Sequence, residues 1–141
     1  MKETTTRYVE ELLDYFRAEN YKIVGAKNVE GFPSPAGLHN DGYGDQQNKQ
    51  PDVFGFDEVN GRFVIGIVKT REDGLESSDS LTQYDVFFDH KNTKNGKSSR
   101  VCFLLPGDMI PEFTAIITHY IHREYWENMM IIRSKGESDE H

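Results

Sequence analysis

The sequence predicts a single α/β domain in which helices flank a mixed β-sheet. Three observations carry the prediction. Apolar residues recur at helical spacing in three stretches, 4–20, 78–91 and 111–125, with short β-rich runs between them. Asn60-Gly61 divides two such runs, a strong short-range hairpin signal. The runs at 100–106 and 129–132 are almost continuously apolar, as strands covered on both faces are. A chain of 141 residues suits one core, assigned to residues 1–133, and the charged end at 134–141 reads as a disordered tail. The element order is α-β-β-β-α-β-α-β, without internal repeats or a domain boundary.

The first helix, 4–20, places Val9, Leu12, Leu13 and Phe16 at i, i+3, i+4 and i+7, and Thr4, Thr5 and Thr6 offer its N-cap. A short strand follows at 21–26. Residues 28–50, rich in Gly, Pro and Asn, read as one long loop, a feature that in compact domains is usually functional or mobile. Phe32 and Tyr43 are its candidate anchors. Strands at 52–58 and 62–69 flank Asn60-Gly61. A two-residue turn sets Phe54 opposite Ile67 and Asp52 opposite Lys69. Alternation then gives Asp52, Phe54 and Phe56 one sheet face in common with Ile65, Ile67 and Lys69. After a polar loop, the helix at 78–91 buries Leu81, Tyr84, Phe87 and Phe88, with Ser78 or Asp79 as its cap. A basic, turn-rich connection at 92–99 leads to the buried strand 100–106. Pro111 fits the first position of the last helix, which turns Phe113, Ile116, Ile117, Tyr120, Ile121 and Tyr125 inward before the final strand.

With 16 Lys and Arg against 24 Asp and Glu, the chain carries a net charge of −8. That balance argues against strong nonspecific nucleic-acid binding, which depends on cations neutralising phosphates. No stretch approaches the ~18 apolar residues of a membrane span, and MKETTTRYVEE has no hydrophobic signal region. A soluble, cytoplasmic protein without a membrane partner is expected. The single cysteine, Cys102, permits neither an internal disulfide nor a Cys-based zinc site and is expected to be buried and inert. His119 and His122 stand three apart, as zinc ligands can, but lack an acidic third ligand nearby. Gly42 and Gly44 follow no strand and open no helix, so they fail the context of a phosphate-binding loop.

Pro51-Asp52 on one strand and Gly66-Ile67-Val68-Lys69-Thr70 on the next resemble the motif of the PD-(D/E)XK nuclease-like superfamily. The resemblance includes the element order, the Gly31-Phe32-Pro33 loop ahead of the motif and Gln83 on the following helix, and it spans most of residues 4–132. It implies a restriction-endonuclease-like three-layer core and metal-dependent hydrolysis of DNA phosphodiesters. In that superfamily the motif acids hold one or two divalent ions, commonly magnesium, which offset the charge of the pentacovalent phosphate. The Lys positions the attacking water and adds to that stabilisation. By this resemblance Asp52 and Lys69 are catalytic, Asp52 is a magnesium ligand, and Gln83 and Thr70 bind substrate.

Where the pattern requires an acid, the chain has Ile67, which has no lone pair to offer a cation. Glu10 and Glu11, on either side of the inward-facing Val9, are the candidate replacement ligands. Glu72, Asp73 and Glu76 are further candidates from the loop after Lys69. Each residue also has a plain structural reading. Asp52 and Lys69 would be a cross-strand ion pair of small value if exposed, Glu72, Asp73 and Glu76 solvated loop charges, Gln83 a surface side chain and Thr70 a strand end. Lys91, Lys94, Lys97 and Arg100 form either a solvated turn or a phosphate-contacting rim beside the pocket. Two functions follow: a magnesium-dependent DNA endonuclease completed by a borrowed carboxylate, or a catalytically inactive descendant that binds nucleic acid or protein. A homodimer suits either, with Tyr120, Tyr125 and Trp126 as a contact surface.

Overall fold

The computed structural model describes residues 2–39 and 48–135. The apolar stripe Val9, Leu12, Leu13 and Phe16 forms helix α1 (Lys2–Ala18). It begins earlier than the sequence suggests, so Thr5 and Thr6 lie within the helix rather than at its cap. Asn20, at φ 64°, turns the chain back, and Tyr21 N–H reaches the Phe16 carbonyl at 3.0 Å. Strand β1 (Lys22–Ala26) follows. The long loop is not structureless. Leu38–His39 (β2) and Asn48–Lys49 (β3) form a small antiparallel ladder, because Leu38 gains apolar contact with the core below. Tyr43, Gly42 and Gly44 lie outside the described residues.

Strands β4 (Val53–Asp57) and β5 (Arg62–Val68) form the expected hairpin, but with a longer turn. Asp57 pairs with Arg62, Phe54 with Ile65 and Val53 with Gly66. The ladder therefore closes two residues earlier than a two-residue turn requires. Asp57 is the reason: its carboxylate accepts from the amides of Val59 (3.1 Å) and Asn60 (3.2 Å) and from Asn60 Nδ2 (2.6 Å). Gly61, at φ 71°, completes the four-residue turn. Two residues are an even slip, so every side chain keeps the predicted face.

Helix α2 (Ser78–Asp89) is capped by Ser77, whose side chain accepts from the Ser80 amide, rather than by Ser78 or Asp79. It leads to β6 (Arg100–Leu105), α3 (Ile110–Tyr120), a 3-10 turn over Arg123–Asn128, and β7 (Met129–Arg133). The last helix ends at Tyr120 instead of continuing to 125, as Ile121 adopts an extended backbone. Ser134, expected in a disordered tail, is buried and donates its amide to the Leu105 carbonyl at 2.9 Å.

The sheet order is β1-β4-β5-β6-β7, antiparallel from β1 to β5 and parallel from β5 to β7. Helix α1 covers one face, with Leu12 and Phe16 against Val53, Val64, Cys102 and Leu104. The other face lies under α2 and α3, where Tyr84, Phe87, Phe113 and Ile117 meet Ile65, Ile67, Val101 and Phe103. Each such buried side chain contributes roughly 1.5–3 kcal/mol. Gly66 lets α1 approach: a Cβ there would lie 2.7 Å from Leu12 and 3.2 Å from Phe16. Among the described residues, no helix is long and apolar enough to cross a membrane.

Candidate functional site

The hairpin brings Asp52 and Lys69 to one end of the sheet. Asp52 immediately precedes β4, where its amide donates to the Gly66 carbonyl at 2.9 Å. Its Oδ2 accepts from the Val68 amide at 2.9 Å. Burial pushes the carboxyl above its ordinary range, against the opposing effects of that hydrogen bond and of the Lys27 and Lys69 charges. Lys69 follows β5 and is only 4% exposed. Its Nζ donates to Gln83 Oε1 at 2.7 Å and to Ser80 Oγ at 3.2 Å, and lies 5.4 Å from the Tyr84 ring centre. Burial lowers its pKa, opposed by the negative charges of Asp73, Asp52 and Asp79. Asp52 and Lys69 thus feel each other's charge, yet each takes its hydrogen bonds elsewhere.

Ile67, two residues before Lys69, is 1% exposed, in one apolar cluster with Ile65, Tyr84, Phe87 and Phe103. It points to the face of the sheet that α2 and α3 cover. What occupies that face is core.

A pocket of about 440 Å³ opens over this end of the sheet, lined by Asp52, Lys69, Thr70, Asp73, Asp79 and Gln83 among others. Thr70 is buried and tied down: its amide and hydroxyl donate to Asp73 Oδ2 at 2.6 and 3.1 Å. Glu72 lines the same pocket, with Oε1 3.4 Å from the Thr70 hydroxyl. Asp79 pairs with Lys49 from β3. Glu76 has left the site; it accepts from the Tyr120 hydroxyl at 2.7 Å.

Neither candidate ligand on α1 is drawn to Asp52. Glu11 accepts from Ser134 Oγ at 2.9 Å and from the Lys135 amide at 2.8 Å, because its side of α1 meets the chain leaving β7. Glu10 is exposed and does not line the pocket. From α1 the pocket receives Thr5 instead. Among the described residues, no group of three or more His, Cys, Asp or Glu is placed to hold a metal ion. One oxygen of Asp52 accepts from a backbone amide and Ile67 lies in the core, so the described residues do not assemble the cluster of oxygen ligands that would hold a magnesium ion in near-octahedral array.

The basic turn is not beside this pocket. Lys91 and Lys97 line a separate cavity of about 580 Å³ together with Arg62 at the start of β5. Arg62 and Lys69 are separated by the length of that strand, roughly 20 Å at ~3.3 Å per residue. Lys97 is also engaged, donating to the Asn60 carbonyl at 2.6 Å. His119 packs edge-on to Tyr120, and His122 lies beyond the end of α3, where its Nδ1 accepts from the Glu124 amide. Cys102 is fully buried, and burial pushes its thiol up to about 12.

Ser80 and Lys27 line the pocket, and Lys49 reaches its rim through Asp79, without a role in the sequence reading. For Ser80 a signal existed: Ser80, Gln83 and Tyr84 stand at i, i+3 and i+4 on α2, so a face that presents Gln83 also presents Ser80. No local signal marks Lys27 or Lys49, which arrive from β1 and from the β2–β3 ladder. Comparison with family models, with curated proteins and with solved structures returns no match.

Proposed function

We propose that this chain is a PD-(D/E)XK nuclease-like domain that no longer hydrolyses phosphodiesters and serves as a non-catalytic protein-binding module. The observation that carries the reading is Ile67: it stands two residues before Lys69, where the resemblance calls for an acid, and is sealed in the α2 core at 1% exposure. The element order α1, β1, β4, β5, α2, β6 and the antiparallel-to-parallel change at β5 support the nuclease-like ancestry. Lys69, held by Gln83 and Ser80, is here a buried polar anchor for α2. A protein partner is favoured over nucleic acid because the net charge is −8 and the basic turn lies at the far end of β5 from the pocket.

One observation favours the opposing reading, residual magnesium-dependent cleavage. Asp52, Glu72, Asp73 and Asp79 all line the pocket that holds Lys69. Both hydrogen bonds from Thr70 go to Asp73 Oδ2, so Asp73 could serve a metal through Oδ1. Incubation of the protein with supercoiled plasmid and with branched DNA, in magnesium and then in manganese, tests the choice. No nicking and no gel retardation at low salt are expected. Cleavage that is lost in both Asp52→Asn and Lys69→Ala would overturn the proposal.

A further inference from the structure

The sheet has two edges, and they are finished differently. At β1 the ladder to β4 shifts register between Ile23 and Gly25, and the outer side is covered. Ala26 N–H donates to the Pro33 carbonyl at 2.9 Å, and a Cβ on Gly25 would lie 2.8 Å from that same oxygen. A bulge and a proline-bearing cover are usual ways to blunt an edge. At β7 neither is found among the described residues. Its ladder to β6 runs without a break from Met129 to Arg133, and Met129, Met130, Ile131 and Ile132 are all only half-buried, unlike the buried residues of β6.

The orientation of the strand follows from one bond. Ser134 N–H points to the Leu105 carbonyl of β6, so by alternation Met130 and Ile132 also direct their main-chain groups to β6. Met129, Ile131 and Arg133 direct theirs outward. The Met129 amide is taken by the Trp126 carbonyl of the preceding turn. For the amides of Ile131 and Arg133 and the carbonyls of Met129 and Ile131, no partner is found among the described residues.

We infer that β7 is a homodimer interface, pairing antiparallel with β7 of a second copy about a two-fold axis at Ile131. In that arrangement the Ile131 amides and carbonyls bond reciprocally. Each Arg133 amide meets the Met129 carbonyl of the other copy, while the reverse bond, from the Met129 amide to the Arg133 carbonyl, is forgone because Trp126 already holds that amide. Charge selects the same arrangement. Exposed Glu124 and Glu127 outweigh exposed Arg123 in the turn before β7, and exposed Arg133 and Lys135 end the strand. Antiparallel pairing sets the acidic end of one copy beside the basic end of the other, whereas parallel pairing sets like beside like. A symmetric strand contact of this kind is isologous and closes at two subunits. The inference is independent of the reading of the pocket.

Analytical ultracentrifugation of the full chain tests it, at ~100 μM, which populates any association of micromolar dissociation constant. A species of twice 16.3 kDa is expected, and protection of the Ile131 and Arg133 amides from hydrogen exchange rises with protein concentration. Arg133→Pro removes an outward donor together with the guanidinium and leaves every main-chain bond from β7 to β6 in place, so it is expected to be monomeric with an unchanged circular dichroism spectrum. Should that variant not fold, Arg133→Glu is expected to weaken the dimer at least tenfold and Glu127→Arg in the same chain to restore it. A monomeric wild type would overturn the inference, and it is also the result if the edge receives a strand of another protein. A dimer that survives Arg133→Pro or Arg133→Glu would likewise overturn it.

Discussion

Replacing Ile67 by Glu places a carboxylate inside the α2 core, and the structure predicts what it costs. The side chain is 1% exposed among Ile65, Tyr84, Phe87 and Phe103. Loss of its apolar burial is worth about 2 kcal/mol. An unpaired carboxylate in the same place adds about 3–5 kcal/mol. Together these reach about 5–7 kcal/mol, comparable to the whole stability of many domains, about 5–15 kcal/mol. The control is Ile67→Ala, which removes the packing without adding charge and should cost about 2–4 kcal/mol. Burial raises the introduced carboxyl's pKa in the folded state above its unfolded value of about 4.3. The charge penalty is therefore absent below that value and grows as pH rises, until the folded protein also ionises. Urea denaturation followed by circular dichroism at pH 5 and pH 8 measures both variants. If Ile67→Glu lies within about 1 kcal/mol of Ile67→Ala at pH 8, well inside the expected burial penalty, position 67 reaches the pocket and the sealed-core argument fails.

Three further outcomes can be measured by thermal or chemical denaturation. Asp57→Ala should cost about 1–2 kcal/mol at pH 7 by releasing the turn amides. Although burial acts to raise the Asp57 pKa, its hydrogen bonds from Asn60 and Val59 leave it below the ordinary value, so the wild type holds this stability above about pH 4 and loses it as pH falls through the lowered folded pKa. Gly61→Ala should cost about 1 kcal/mol or more, since φ is 71° and the new Cβ would lie 3.1 Å from Asn95 Nδ2. Burial lowers the pKa of Lys69, so wild-type stability should rise as pH climbs from the folded pKa toward about 10.4, the unfolded value; Lys69→Met should abolish that rise.

The helices, the hairpin strands and the shared face of Asp52, Ile67 and Lys69 were legible because each rests on local periodicity. The turn register was not. Asn60-Gly61 resembles a two-residue turn, but Asp57 captures the amides of Val59 and Asn60, and Asn92, Asn95 and Lys97, more than thirty residues on, bind the carbonyls of Gly61 and Asn60. Contacts so distant in sequence leave no mark on the turn itself. The error was harmless to the site only because it was even, which preserves the faces. Glu11 was misplaced for a similar reason: helical spacing shows that it flanks the inward stripe but not that Ser134 and Lys135 return to claim it. The sequence left the basic turn either solvated or beside the pocket, and parallel pairing of β5 with β6 carries it to the opposite end of the sheet.

Calorimetric titration of the wild-type protein with manganese decides whether the pocket around Asp52 and Lys69 holds a divalent ion. The account predicts only the heat of dilution. A saturable, stoichiometric heat that disappears in Asp52→Asn would contradict it.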